Sequence, residues 1–451
     1  MHVKSGVHIT SFVQNECRKS ARNRSIGEDV NVPISDIIEF ARLNIDWIEN
    51  REISLLERIY EQKIMYNNVN LENFYIVNIE LLVDSIILAL NQHSKPFIIE
   101  ILCEMVYYDS IFIQSILNYG ISNQIISILK GNNTALKKVS FELINRLSLI
   151  NEDVSRVLNE QNLFRTLISA CTQEYDREIY VLALQTLKTT TEFFRGHLVH
   201  SIALYTGLLH SQDYLLVSFG ASFLYIILMK AGSKNQCYSI KNQIPRIDDL
   251  LKRFEEIEEQ HFLSILNLVL QMSTHFELSK ALVEKGMIYS LINIVDSSMK
   301  YVNKILLIFS NLVYIHEYLI DECFNIGVDR IVFEIVQNGN FSEMESAARF
   351  ISNVLCKGSS EQIQIIFNKE VCIFLIEFLQ QDQPNMVEVV LDAINSALLV
   401  YSNINNQLIL EILEDSSFND LLLHYTMNDK PEIALQAQSI IDKIGVNHLV
   451  N

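Results

Sequence analysis

Apolar residues recur along this chain at helical spacing, in segments parted by brief polar turns. Val390, Ala393, Ile394, Ala397 and Leu398 fall at i, i+3, i+4, i+7 and i+8, which puts all five on one face of a helix. Ile433, Ala437, Ile440, Ile441 and Ile444 draw the same stripe further on. Before such a helix comes a shorter and more apolar one, as in residues 373–379. Gly120, Asn162, Gly286 and Gly327 stand where one helix gives way to the next. Both residue types tolerate the left-handed conformation that a tight helix-to-helix turn needs. Pro384 and Pro431 follow polar turns and suit the start of a helix. The elements predicted are therefore helices, in the order short, apolar, long.

That order repeats. Ser310-Asn311 and Ser352-Asn353 each close an apolar run and lie about 42 residues apart. The same step reaches Asn395 in one direction and, in the other, Asn267–Leu270, Phe223–Leu228, Asn145 and Glu104. A period of roughly 40–47 residues is that of armadillo or HEAT repeats. No such repeat can bury its apolar helix alone, so neighbours must stack. The prediction is an all-α, right-handed armadillo-repeat α-solenoid of about ten repeats over residues 36–451, its third helices lining a concave face. Residues 1–35 form a separate basic segment. Between about 170 and 260 the pattern is too degenerate to register.

Composition sharpens this. Five Pro and 13 Gly in 451 residues are too few for a β-rich or loop-rich fold, and suit long stretches of helix. A net charge of −19 argues against direct nucleic-acid binding, which needs a basic face, and favours basic partners. The seven cysteines are scattered, odd in number and without a C-x-x-C pair, as expected of reduced thiols inside a cell. No apolar stretch reads as a signal peptide or membrane span.

No constellation for catalysis stands out. His197 and His200 lie at i, i+3 but lack further ligands at metal-site spacing, so they read as ordinary histidines. Residues 255–259 hold four Glu, the pattern of a solvated helix face. The phosphate-loop, zinc-protease and nucleophile-elbow motifs are absent from the sequence. The expectation is a protein without enzymatic activity, metal or cofactor.

Three stretches resemble the importin-α family of nuclear import adaptors. Residues 345–353 with Gly358-Ser359-Ser360-Glu361-Gln362-Ile363 are similar to the family's E-A-A-W-A-I-S-N followed by G-G-S-P-E-Q-I. Leu413-Glu414-Asp415 through residues 428–443 are similar to its closing repeat, and residues 45–90 to its opening one. The resemblance covers roughly residues 40–445. It implies a groove that binds basic localisation signals through Trp and Asn four residues apart on each third helix. Asn145, Asn311 and Asn353 match the Asn; Phe141, Leu307 and Arg349 stand at the Trp positions, and Glu100 and Glu104 occupy both places one repeat earlier. Phe141 is expected to form an aromatic slot, Leu307 to offer only apolar contact and Arg349 to repel a basic peptide. The sole Trp is Trp47. The resemblance further implies basic cargo proteins as partners, an importin-β-type carrier bound by Arg18, Lys19, Arg22 and Arg24, an export receptor at the acidic C-terminal repeats, and residence in cytoplasm and nucleus. The alternative is an armadillo scaffold without signal binding.

Overall fold

The computed structural model describes residues 83–450 with interruptions, the longest at 157–162, 194–201 and 402–415. Asn162, Pro384, the two histidines at 197 and 200, Trp47 and the basic tail with Arg18, Lys19, Arg22 and Arg24 lie outside the described residues, as does the 35/36 boundary. All described regular elements are helical. They divide into two units, residues 1–194 and 195–451.

The first unit contains α1 (Pro96–Tyr108), α2 (Ile121–Lys130), α3 (Thr134–Ser148), α4 (Leu163–Gln173) and α5 (Arg177–Phe193). The second begins with α6 (Ile202–Leu209), α7 (Tyr214–Lys230), α8 (Lys234–Lys241), α9 (Ile244–Lys252) and α10 (Glu259–Ser273). It continues through α11 (Phe276–Glu284), α12 (Met287–Ser297), α13 (Val302–Ile315), α14 (Leu319–Asn325), α15 (Val328–Asn338) and α16 (Phe341–Lys357). It closes with α17 (Ser360–Ile366), α18 (Lys369–Leu379), α19 (Val387–Tyr401), α20 (Ser416–Thr426) and α21 (Pro431–Val450). The predicted short–apolar–long order is plain in α11–α12–α13, α14–α15–α16 and α17–α18–α19.

Local chemistry sets the boundaries. Gly120, Gly286 and Gly327 have φ of +73°, +71° and +88° and join helix to helix through the left-handed region, where a Cβ is strained. Asn340 with Glu343, and Ser359 with Gln362, form reciprocal capping boxes that start α16 and α17. Pro431 opens α21. The predicted core stripe of α19 is wholly buried; on α21 Ile433, Ala437, Ile440 and Ile444 are buried and Ile441 is half-buried. Third helices pack on one another, α1–α3–α5 in the first unit and α7–α10–α13–α16–α19–α21 in the second. The stretch that defeated sequence registration contains α7, apolar around its whole circumference (YLLVSFGASFLYIILMK). Such a helix has no polar face to set its phase.

His316 caps the C-terminal end of α13 at 5% exposure. Its ring nitrogen lies 2.9 Å from Ser279 Oγ, between the rings of Phe276 and Tyr318. Burial, then the charge of Lys280, hold its pKa below 6.5; burial lowers His275 in the same direction. In the unfolded chain both protonate near 6.5, in the folded one only at lower pH. Below about pH 6.5 the unfolded state therefore binds more protons, and stability falls with pH. The urea midpoint should drop between pH 7 and 5, and less steeply in His316→Gln. Equal slopes for the two proteins would remove His316 from the account.

Candidate binding stripe on the third helices

On α13 the buried positions Ile305, Leu306, Ile308, Phe309, Leu312 and Val313 leave Leu307 and Asn311 half-buried on the open side. On α16 the same arrangement leaves Arg349 and Asn353. These four stand together as the sequence predicts. On α1, Glu100 is half-buried; the side chain of Glu104, four residues on in the sequence, lies outside the described residues.

On α3 the phase differs. Its buried residues Ser140, Phe141, Leu143, Ile144, Leu147 and Ser148 match the α16 pattern only when Glu142 is set against Arg349 and Arg146 against Asn353. Hydrogen bonding agrees. Asn353 Nδ2 donates to the Ser310 carbonyl at 2.9 Å and Arg146 Nη1 to the Cys103 carbonyl at 3.0 Å, each 43 residues upstream. A one-residue slip turns a side chain about 100° around the helix. Phe141 is accordingly 0% exposed and offers no ring face, contrary to the slot expected of it. Asn145 is half-buried, with a buried Oδ1 that meets no donor. By the same slip, α19 presents Asp392 and Ser396, and Asn395 turns toward α21, where Ser439 Oγ donates to it at 3.1 Å and it donates to Gln436 at 2.6 Å.

The stripe is tied together across repeats. Asn311 Nδ2 donates to Ser273 Oγ at 2.9 Å and Asn353 Nδ2 to Ser310 Oγ at 2.8 Å. These bonds use amide N–H groups and leave the side-chain oxygens to accept from an incoming backbone. Lys304 Nζ donates to Asn267 Oδ1 at 2.8 Å, and Lys443 donates to the carbonyl and side chain of Asn395. Burial lowers the pKa of both lysines. Lys357 Nζ stands 5.1 Å from the centre of the Tyr314 ring, a cation–π distance. Arg349 pairs with Glu345 at 3.0 Å and Arg146 with Glu142 at 2.7 Å, both within one helix. Sequence reading missed Glu142, Arg146, Lys304, Tyr314 and Lys357. The available signal was the period itself, since Tyr314 and Lys357 are one repeat apart.

Burial pushes Cys171, Cys323, Cys356 and Cys372 up to about 12, so they stay protonated thiols. Among the described residues no group of His, Cys, Asp or Glu is arranged to hold a metal, and no helix is long and apolar enough to cross a membrane.

No family model matches the chain, and no curated protein matches it either. Solved structures do match. The crystal structure of an engineered protein from a structural genomics consortium aligns with a TM-score of 0.70 at 13% identity, over 90% of this chain and 99% of that one. Its extent, with the three-helix period, decides the fold. The chain has an all-α armadillo-type repeat fold. A second engineered protein covers 52% of this armadillo chain at TM-score 0.46 and 13% identity, with 96% of that chain matched. A designed armadillo repeat protein covers 54% at TM-score 0.45 and 16% identity, with 99% of that chain matched. At such identities the likeness is one of fold.

Proposed function

We propose that this protein is an interaction adaptor that holds an extended peptide along its third helices, and that it acts in nuclear import. On this reading the first unit takes a basic localisation signal of a cargo protein. The basic tail (Arg18, Lys19, Arg22, Arg24) meets an importin-β-type carrier, the C-terminal repeats meet an export receptor, and the protein moves between cytoplasm and nucleus. The observation that carries it is acidic: Glu100 is half-buried on α1 and Glu142 is exposed at the first stripe position of α3, with Glu104 four residues after Glu100 in the sequence. Arg146 lies against Glu142, but an i,i+4 pair on a helix surface contributes only about 0.3–0.5 kcal/mol, so an arriving Lys or Arg displaces it cheaply.

A second reading, an armadillo scaffold without basic-signal binding, is favoured by the aromatic positions. Phe141 is core, Leu307 and Arg349 cannot grip a lysine stem, and the exposed Tyr314 ring already carries Lys357. Fluorescence anisotropy with a labelled Lys/Arg-rich peptide separates the two. The adaptor predicts salt-sensitive binding, stronger without residues 1–35, and about tenfold weaker when Glu100 and Glu104 are both changed to Lys. Absence of binding, or indifference to that double change, makes the scaffold the better description.

A further inference from the structure

Along the third helices of the second unit, cations stand where α1 and α3 of the first carry Glu100 and Glu142. Lys304 lies on α13, Arg349 and Lys357 on α16, and Lys300 in the short turn before α13, with Glu259 of α10 and Glu345 of α16 as the acids paired among them. Each acid is paired, Glu259 with Lys300 at 2.5 Å and Glu345 with Arg349 at 3.0 Å; like Glu142–Arg146, the second is a weak i,i+4 surface pair that an arriving carboxylate can exchange. Asp392, next along on α19, receives Gln436 and the Cys356 thiol. Lys304 and Lys357 are left with neutral partners, an amide and an aromatic ring. Lys304 is partly desolvated, and burial alone shifts its pKa downward; a carboxylate would relieve that cost. A surplus of positive charge on a chain of net charge −19 is a local feature that total composition hides.

Acceptors suited to a peptide backbone stand beside these cations. Asn311 and Asn353 stand on neighbouring third helices with their side-chain oxygens uncommitted, while their N–H groups are anchored to serines. Packed helices lie about 8–10 Å apart, which an extended chain crosses in roughly two or three residues at about 3.3 Å each. Leu307 and the 56%-exposed Tyr314 add apolar surface between the cations.

We propose that the α10–α13–α16 stripe of the second unit binds an extended acidic peptide, its backbone N–H groups on Asn311 and Asn353, its carboxylates on Lys304, Arg349 and Lys357, and an apolar side chain on Leu307. This site is independent of the basic-signal site proposed for the first unit.

The test uses the full chain and anisotropy of a labelled peptide alternating Glu with Leu and Ser. A Gln-for-Glu version of that peptide and a single-stranded oligonucleotide serve as competitors. The acidic peptide should bind, weaken with salt, and be displaced at least about tenfold less well by the Gln version. Arg349→Glu with Lys357→Glu should weaken it about tenfold or more, and Lys304→Gln should weaken it too. Both partners of the double variant are on the surface, so it keeps the folded signal by circular dichroism even if Lys304→Gln does not. No binding of the acidic peptide, equal displacement by the Gln version, or indifference to the double reversal overturns the proposal. So does displacement by the oligonucleotide as effective as by the peptide itself, which would mark a general anion surface. Because the Lys/Arg-rich probe reads Glu100 and Glu104, either site can fail without the other.

Discussion

Phe141→Ala is expected to destabilise the first unit by about 3–5 kcal/mol and to act on folding before it acts on any peptide. The ring is among the largest fully buried side chains. It lies on α3 with Leu143, Ile144 and Leu147, all at 0% exposure, and α3 packs against both α1 and α5. Removing the ring loses its transfer free energy and leaves a cavity between three helices. In a repeat protein the cost spreads to both neighbours, because each repeat is stable only through its interfaces. Urea unfolding followed by circular dichroism measures it. The neighbouring Glu142→Ala makes the contrast, since it removes an exposed carboxylate and one surface ion pair, an effect within about 0.5 kcal/mol. If Phe141→Ala unfolds like the parent and only weakens peptide binding, the ring faces the stripe and α3 does not present Glu142 and Arg146 in its place.

Two glycines about thirteen residues apart should respond to the same change with opposite signs. A Cβ built on Gly220 of α7 would stand 2.8 Å from the Tyr205 carbonyl oxygen, 3.0 Å from Leu208 Cβ and 3.2 Å from the Leu209 amide nitrogen. Two of those three atoms are α6 backbone, which cannot move aside without moving the helix. The Tyr205 ring stacks on Phe223 at 4.3 Å in the same contact. Gly220→Ala should therefore cost about 1–3 kcal/mol through overpacking. Gly207, on α6 itself, has nothing within 4 Å of its would-be Cβ. There Gly207→Ala meets no obstacle and should stabilise by up to about 1 kcal/mol through helix propensity. Thermal or urea melts of the two variants decide it. Equal shifts of either sign would mean that α6 and α7 do not approach so closely.

The two proposed sites differ in what distinguishes them from ordinary surface. In the first unit the acidic pair of α1 is continuous in sequence, four residues apart. In the second the cations and amides offered to the peptide come from two helices, α13 and α16, about forty residues apart in sequence. Charge reversal at Arg349 and Lys357 therefore tests an arrangement, not a composition.

Much of the fold is legible in the chain. The helical class follows from periodicity and from the scarcity of Gly and Pro. The period of about 42 residues follows from Asn311 and Asn353, and the left-handed turns at Gly120, Gly286 and Gly327 follow from residue type. The buried stripe of α19 was written in its spacing. What only the tertiary structure decided is the phase of each third helix. Around position 141, Phe141, Leu143, Ile144 and Leu147 span about 160° at about 100° per residue, and Phe141 stands at the edge of that arc next to Asn145, where a one-residue slip in a repeat of about 42 residues decides which residue faces out. The choice is made by the flanking helices, which cover Phe141 and leave Glu142 exposed and Arg146 half-buried. The same holds for Asn395, drawn toward Ser439 and Gln436 of α21, and for Lys357, laid over Tyr314 of the preceding repeat. A residue's own sequence neighbours determine that it lies on a helix, whereas contacts about forty residues away determine which way it points, because in a stacked repeat fold each face of a helix is defined by the repeat beside it.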